Sequence, residues 1–220
     1  MQDVVIIGAG GFAREMLDVF DAANELKPTY NILGYIVGTE YGVLGTQIND
    51  KPILGDFDWF TDHTDVLAIC GVGAPEVRRK MIMRVKEYGI GFCSVIHPKA
   101  VTTRWNKIGV GSIITAGCIL TNQITVGDHV HLNLDCTVGH DAVLEDFVTI
   151  APGVHISGNV TLKTGAYIGT GANIIEKKTV GMWSVVGAGS TIVSDVPPNV
   201  TAVGTPGKVI KTREEGWHLH

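Results

Sequence analysis

The chain has few aromatic and few charged residues for a soluble protein. Aromatic residues make up 7% and charged residues 18% of its 220 positions, whereas 28 positions are glycine. The core must therefore be built from small and aliphatic side chains, which argues against a helical bundle. The net charge is −5 and no stretch clusters Lys and Arg, so a nucleic-acid surface is not expected. The length allows one large domain or two small ones.

Long apolar runs and paired cysteines are also missing. Every apolar run is shorter than the ~18 residues that a membrane helix needs, and the N-terminus lacks the basic region of a signal peptide. Cys70, Cys93, Cys118 and Cys136 include no C-x-x-C pair, so the sequence indicates neither a disulfide framework nor a dithiol redox site. We therefore expect a cytoplasmic protein that acts on small molecules and not at a membrane.

A repeat of six residues is the strongest pattern in the chain. From Ile108 to Pro197 the sequence divides into fifteen hexapeptides. All fifteen begin with Ile, Leu or Val, and their fifth residue is small or aliphatic except at Lys178. A period of six fits neither an amphipathic helix nor an alternating sheet. It does fit short strands joined by tight turns in a parallel β-solenoid.

Three strands per coil make a coil of eighteen residues, so residues eighteen apart are expected to stack about 4.8 Å from each other. One internal ladder would then consist of Ile108, Val126, Leu144, Leu162 and Val180. The register reaches back to Ile96, and two prolines end it at Pro197. We assign residues 96–212 to the solenoid and residues 213–220 to a polar tail that we expect to be poorly ordered.

Residues 1–95 have a different pattern, which predicts a small parallel α/β domain of Rossmann-like type. The apolar run Val4 to Ile7 is followed by a glycine-rich turn and then by a helical pattern. The turn reads Gly8-x-Gly10-x-x-Ala13, a spacing that can present backbone amides and a helix N-terminus to a phosphate. A turn that serves only the fold is the alternative.

Four histidines of the solenoid are candidates for chemistry, since its internal positions are aliphatic: His129, His131, His140 and His155. His140 is followed by Asp141 beside a predicted turn, and a bend there would let the carboxylate orient the imidazole. His129 and His131 have no evident partner in the sequence. We expect them to be solvated or interface residues.

The motifs of both halves together resemble the NeuD and PglD family of bacterial sugar acetyltransferases. They are the hexapeptides, the turn Gly8 to Arg14, the segments Asn133 to Asp141 and Pro152 to Val160, and Gly204 to Val209. The resemblance implies a left-handed parallel β-helix and a homotrimer. It also implies acetyl-CoA as cosubstrate in a groove between subunits, no metal, and a nucleotide-linked amino sugar held by the N-terminal domain.

The resemblance also implies roles for individual residues. His140 matches the general base, Asp141 the acidic residue that raises its basicity, and Asn133 a polar residue near the acceptor. The residues that match the nucleotide-sugar site are Gly10, Gly11, Phe12 and Gly73. Those that match acetyl-CoA contacts are Thr149, Gly158, Thr170 and Ala188.

The sequence departs from the family in two respects. Thr149 stands where some relatives have a histidine near the thioester. Val37 and Gly38 replace an acidic pair that often follows the second strand and engages the nucleotide, so a uridine nucleotide is not the default expectation.

We expect an enzyme that moves an acetyl group from acetyl-CoA to the amine of a nucleotide-linked 4-amino-4,6-dideoxy sugar for polysaccharide biosynthesis. Alternatives are an O-acetyltransferase acting on sialic acid or a related sugar, and a non-catalytic, trimeric nucleotide-sugar-binding scaffold. The γ-type carbonic anhydrases share the hexapeptide repeat. They bind zinc through an H-x₄-H pair, and this chain has no two histidines five apart.

Overall fold

The computed structural model describes residues 1–219, and its first part is a three-layer α/β unit. The elements are β1 (Gln2–Ile7), α1 (Gly11–Leu26), β2 (Tyr30–Ile36), β3 (Gln47–Ile48), β4 (Lys51–Gly55), a 3₁₀ helix (Phe57–Thr61), β5 (Leu67–Cys70), α2 (Pro75–Glu87) and β6 (Gly91–Phe92). The sheet has the order β3-β4-β2-β1-β5-β6 and is parallel except for the β3–β4 hairpin. The neighbouring strands β1 and β5 are followed by the two turns that line the candidate site.

Alternate residues of β1 serve the two faces of this sheet. Val4 and Ile6 pack with the buried face of α1, including Phe20, whereas Val5 and Ile7 pack with Ile82 of α2. Because all four β1 residues are completely buried, a run of apolar residues rather than an alternating pattern marks this strand.

The second part is a solenoid of two-residue strands, as the period of six predicts. The strands are β7 (Val95–Ile96), β8 (Lys107–Ile108), β9 (Ile113–Ile114), β10 (Ile119–Leu120), β11 (Thr125–Val126), β12 (His131–Leu132), β13 (Thr137–Val138), β14 (Val143–Leu144), β15 (Thr149–Ile150), β16 (His155–Ile156), β17 (Thr161–Leu162), β18 (Tyr167–Ile168), β19 (Asn173–Ile174), β20 (Thr179–Val180), β21 (Val185–Val186) and β22 (Thr191–Ile192). A hairpin of β23 (Val200–Val203) and β24 (Lys208–Thr212) follows.

These strands form three sheets, which we call the β12, β13 and β14 sheets after one member of each. Each strand pairs in parallel with the strand eighteen residues away. The predicted ladder from Ile108 through Leu144 to Val180 lies in the β14 sheet. The sequence-based prediction of an eighteen-residue coil is confirmed.

The tail differs from the poorly ordered segment that its polarity suggests. Residues Trp217–Leu219 form a 3₁₀ turn. The ring of His218 stacks on that of Trp183, with 3.9 Å between centroids and 5° between planes, and the guanidinium of Arg213 lies 4.6 Å from the centre of the Trp217 ring. Flat stacking therefore holds this segment against the solenoid, and a cation–π contact joins two residues within the segment.

A single arginine joins the two domains. Arg78 of α2 is completely buried and points into the solenoid. Its Nε donates to the carbonyl of His129 (3.0 Å), and its Nη2 donates to the carbonyl of Phe147 (2.7 Å) and to Oγ1 of Thr149 (2.9 Å). Its Nη1 donates to the carbonyls of Val72 and Gly73 in its own domain. Burial lowers the pKa of Arg78 to about 10, so the guanidinium stays charged at neutral pH.

Two histidines are buried at the same junction. His129 and His131 are 2% and 1% exposed, respectively. The ring of His129 lies between Phe92 and Phe147, with centroid distances of 4.7 and 5.3 Å. Burial, with the positive charge of Lys86 as a smaller cause, lowers the pKa of His129 to about 4. His129 is therefore neutral at physiological pH and belongs to the interface between the domains.

We predict that Arg78→Ala lowers the free energy of unfolding by roughly 3–5 kcal/mol, because the carbonyl groups around the guanidinium lose their donor. Urea unfolding measures the change. Lys86→Ala is the matched control: its side chain is exposed on the same helix, and it should change stability by no more than about 0.5 kcal/mol. An Arg78→Ala protein as stable as the control would contradict this role.

We also predict that the junction weakens in acid. The folded-state pKa of His129 lies below its unfolded value of 6.5, so the unfolded state binds the proton more readily and stability falls as the pH drops from 6.5 towards 4. Between pH 7.5 and pH 5 the loss due to His129 should be about 2 kcal/mol. Urea unfolding at both values should show a smaller loss in His129→Gln, whereas the exposed-site variant His63→Gln should keep the wild-type loss.

Candidate active site

A cavity of about 330 Å³ lies where the N-terminal domain meets the β12 sheet. Five residues that the sequence analysis singled out line it together: Phe12, Gly73, Asn133, Thr149 and Thr170. The first two come from turns of the α/β domain, and the other three come from the solenoid. The structure therefore brings residues expected to contact the nucleotide sugar next to residues expected near the acceptor and acetyl-CoA.

The two turns meet because β1 and β5 are neighbouring parallel strands, whose carboxyl ends lie at the same edge of the sheet. A Cβ added at Gly10, Gly11 or Gly73 would meet no atom within 4 Å, so the backbone is open to a ligand at these positions. Gly71 is different, since its added Cβ would lie 2.6 Å from Ala13. Gly71 thus allows α1 to pack closely against the end of β5, whereas the other three glycines leave open space.

A second cavity, of about 390 Å³, lies on the other side of the glycine turn and was not predicted from the sequence. Gly8 and Gly10 form one wall, and the apolar side chains of Val37, Val77 and Met81 form the others. Gly38 stands at its rim, where a Cβ would collide with the carboxylate of Glu40. The cavity therefore has an apolar wall at Val37, and none of its lining residues is acidic.

Thr149 and Asn133 are held by bonds within the protein. The hydroxyl of Thr149 donates to the carbonyl of Gly73 (2.8 Å) and accepts from Arg78, and the residue is 6% exposed. Oδ1 of Asn133 accepts from the amide of Leu134 (2.8 Å), which fixes the side chain at the corner between the β12 and β13 sheets. Thr149 thus links the domains in addition to lining the cavity.

His140 and Asp141 form the pair that the sequence predicts. Nδ1 of His140 lies 2.7 Å from Oδ2 of Asp141, and both side chains are exposed. Neighbours on a strand cannot meet in this way, but Asp141 has a φ of +59°, and this left-handed bend turns its carboxylate towards the ring. The carboxylate holds the proton on Nδ1, so Nε2 is left as the basic nitrogen.

Gly158 lies directly against the ring of His140. A Cβ at this position would be 2.7 Å from Nε2, so the absence of a side chain on this coil makes the room for the imidazole. Gly158 therefore groups with His140 rather than with the other residues matched to acetyl-CoA. Of those, Thr170 lines the cavity, and Ala188 lies on the same corner one coil further along, where the amide of Gly189 donates to the carbonyl of Thr170.

The predicted site residues thus fall into two groups within one chain. The cavity opens at the corner between the β12 and β13 sheets, whereas His140 lies at the next corner, between the β13 and β14 sheets. A whole sheet face separates the two groups. Within residues 1–219 no cluster of three or more His, Cys, Asp or Glu side chains is arranged to hold a metal ion, and no helix is long and apolar enough to cross a membrane.

Two residues of this region were not recognised from the sequence. Arg78 carried no signal, because a single arginine in a polar helix resembles any surface residue. His131 was noted as a histidine without a partner, yet it lines the cavity and its ring lies 5.0 Å from that of Phe12.

Comparison with known proteins agrees with this architecture. Residues 3–85 match the family described as the PglD N-terminal domain. A comparison with curated protein sequences finds no match. Among solved structures, a mutant of perosamine N-acetyltransferase from Caulobacter crescentus, in complex with CoA and GDP-perosamine, superimposes with a TM-score of 0.87 at 25% identity, over 96% of this chain and 98% of that one.

Two further structures are similar over the whole chain. The acetyltransferase domain of PglB from Neisseria gonorrhoeae has a TM-score of 0.87 and 29% identity, over 96% of this chain and 100% of that one. WeeI from Acinetobacter baumannii has a TM-score of 0.84 and 29% identity over the same shares. The predicted resemblance is confirmed: residues 3–85 match the PglD N-terminal domain, a left-handed β-helix follows, and the whole chain is similar in fold to acetyltransferases of nucleotide-linked amino sugars.

Proposed function

We propose that the protein is an acetyl-CoA-dependent sugar N-acetyltransferase. Its acceptor would be the amine of a nucleotide-linked 4-amino-4,6-dideoxy sugar. The observation that carries the proposal is the cavity between the glycine turn and the β12 sheet. It occurs in a fold whose Caulobacter relative is described in complex with CoA and GDP-perosamine and as an N-acetyltransferase. Both substrates then meet where the two domains meet.

The nucleotide sugar is proposed to lie along the glycine turn. The space beside Gly10 and Gly11 is open at the start of α1, where partial positive charge favours phosphate. The apolar cavity beside Val37 and Met81 suits the flat face of a nucleobase. The sugar would pass Gly73 and Phe12 into the 330 Å³ cavity. This path uses both cavities and all four residues matched to the nucleotide sugar.

Acetyl-CoA is proposed to bind between two copies of the chain. Thr170 and Ala188 lie on the cavity corner, whereas His140 and Gly158 lie on the next one, so a single chain cannot complete the site. A trimer with threefold symmetry would place the His140 corner of one subunit against the cavity corner of its neighbour. Each of the three grooves would then hold one acetyl-CoA.

The chemistry proposed is direct transfer. The neutral amine of the sugar attacks the thioester carbonyl, and Nε2 of His140 takes a proton from the nitrogen as the new C–N bond forms. The tetrahedral intermediate then expels the CoA thiolate, which is protonated by the imidazolium of His140. Asp141 stabilises that imidazolium at 2.7 Å. Base catalysis of this kind contributes typically ~10²–10⁴-fold to a rate.

We predict that His140→Ala lowers turnover by about 10²–10⁴-fold. The assay follows release of the CoA thiol from acetyl-CoA with UDP-, GDP- and dTDP-linked 4-amino-4,6-dideoxy sugars and free sialic acid. His63→Ala is the control, because this exposed histidine lies outside both cavities. Turnover of sialic acid alone would assign O-acetylation instead. Turnover of an amino sugar that survives in His140→Ala would remove this histidine from the mechanism.

We predict that two inactive variants restore each other if the site is shared. Thr170→Trp fills the cavity from an exposed position, and His140→Ala removes the base from the other corner. In co-expressed, randomly mixed trimers about a quarter of the sites would join an intact cavity to an intact His140, so about a quarter of wild-type activity should return. Mixed oligomers with no more activity than either variant alone would show that one chain carries the whole site.

A further inference from the structure

His131 has a place in this cavity that neither its spacing nor the proposed mechanism explains. It lies on β12, is 1% exposed, and lines the 330 Å³ cavity. Its ring packs against that of Phe12, with 5.0 Å between centroids and 39° between planes. A histidine buried in this way must satisfy both ring nitrogens inside the protein or through a ligand.

Arg78 determines which nitrogen of His131 carries the proton. Nη1 of Arg78 lies 3.2 Å from Nδ1 of His131. A guanidinium only donates hydrogen bonds, so Nδ1 must be the acceptor and the neutral ring carries its hydrogen on Nε2. Burial, together with the positive charge of Arg78, holds the pKa of His131 well below 6.5. The ring therefore stays neutral and keeps this single tautomer.

The Nε2–H of His131 has no acceptor in hydrogen-bond geometry among residues 1–219. The carbonyl of Cys70 is near enough to affect the pKa of the ring slightly, but it does not satisfy this group. Nδ1 points at Arg78, which is not part of the cavity wall, and Nε2 lies on the far edge of a ring that is. A buried donor left unpaired is costly and rare in folded proteins.

We propose that His131 is a specificity-determining residue, whose Nε2–H donates to an uncharged oxygen of the acceptor sugar. The assignment rests on the proposed function and names one contact of that same site. A donor-only group requires an acceptor, which on a sugar is a hydroxyl or the ring oxygen. The sugar rather than acetyl-CoA is the partner because Phe12, which covers the imidazole, and Gly73 belong to the path proposed for the nucleotide sugar.

The arrangement selects against sugars that lack an oxygen at this point. A deoxy carbon there would leave the donor unpaired in the closed complex, and sites built around a buried donor discriminate strongly for this reason. Nε2 is buried in the unliganded chain, so side chains around the ring must shift for the oxygen to reach it. Arg78 acts as a positioning residue, because it sets the tautomer without touching the cavity.

Two substitutions separate this role from a structural one. His131→Asn keeps an acceptor near the Nδ1 position for Arg78 but has nothing at Nε2. His131→Gln places an amide N–H near the Nε2 position and loses the close acceptor for Arg78. If His131 only supports Arg78, the Asn variant should exceed the Gln variant in both thermal stability and activity. If Nε2–H binds the sugar, the Gln variant should be the better enzyme.

The experiment measures KM and kcat for each substrate, with thermal unfolding of every variant. We expect His131→Asn to lose about 10- to 100-fold in kcat/KM for the amino sugar, mainly through KM, with KM for acetyl-CoA unchanged. His131→Gln should stay within about 5-fold of wild type. The matched controls are His129→Asn and His129→Gln, at the neighbouring buried histidine outside the cavity wall, which should lower stability alone.

The outcomes distinguish a failure of the proposed function from a failure of the role proposed for His131. Wild-type protein that releases no CoA with any sugar overturns the proposed function and the role of His131 with it. An active wild type whose Asn and Gln variants share the same KM for the sugar overturns only the role of His131. The role of His131 is also overturned if its variants change only the KM for acetyl-CoA, or if the His129 variants change the KM for the sugar equally.

Discussion

The buried guanidinium of Arg78 is the contact on which the arrangement of this protein depends. It bonds carbonyl groups that follow the carboxyl end of β5 and others along two coils of the solenoid, so one side chain connects both domains at several points. No carboxylate accepts a hydrogen bond from it within residues 1–219. Its acceptors there are backbone carbonyl groups and the hydroxyl of Thr149, with the imidazole of His131 nearby. A planar fork with several donors can satisfy such a set, whereas the compact ammonium of a lysine cannot reach both sides at once. The cavity, the tautomer of His131 and the position of Thr149 all follow from this contact.

Patterns that repeat were predictable, and contacts that occur once were not. The period of six gave the coil of eighteen residues and the stacking of Val126 on Leu144, because every coil repeats the same packing problem. The pairing of His140 with Asp141 was also predictable, since only a left-handed bend lets adjacent residues meet. Arg78 crosses from one domain to the other at a single point. Neither periodicity nor local spacing records such a contact, and the stacking of His218 on Trp183 escaped for the same reason.

The sequence predicts candidate site residues, five of which line one cavity, but it does not predict how they are arranged. Asn133 and His140 are seven positions apart, which in a hexapeptide solenoid means adjacent corners of the prism. A narrow prism cannot bring two of its own corners together, so Asn133 and His140 face different directions. This geometry makes a second subunit a chemical requirement of the proposed reaction, beyond any gain in stability. The same constraint explains why the pair of His140 and Asp141 does not line the cavity of its own chain.

Thr149 shows how a residue of the cavity wall can also serve the domain junction. Its hydroxyl donates to the Gly73 carbonyl and accepts from Arg78. Its single donor is thereby used, so the hydroxyl could only accept a hydrogen bond from a ligand. The imidazole in this cavity comes from His131, the direct neighbour of Thr149 in the β12 sheet, and it is tied to the same guanidinium. Because one arginine bonds both side chains, the hydroxyl and the imidazole are positioned as a unit, and the only hydrogen-bond donor of this pair left for a ligand is Nε2–H.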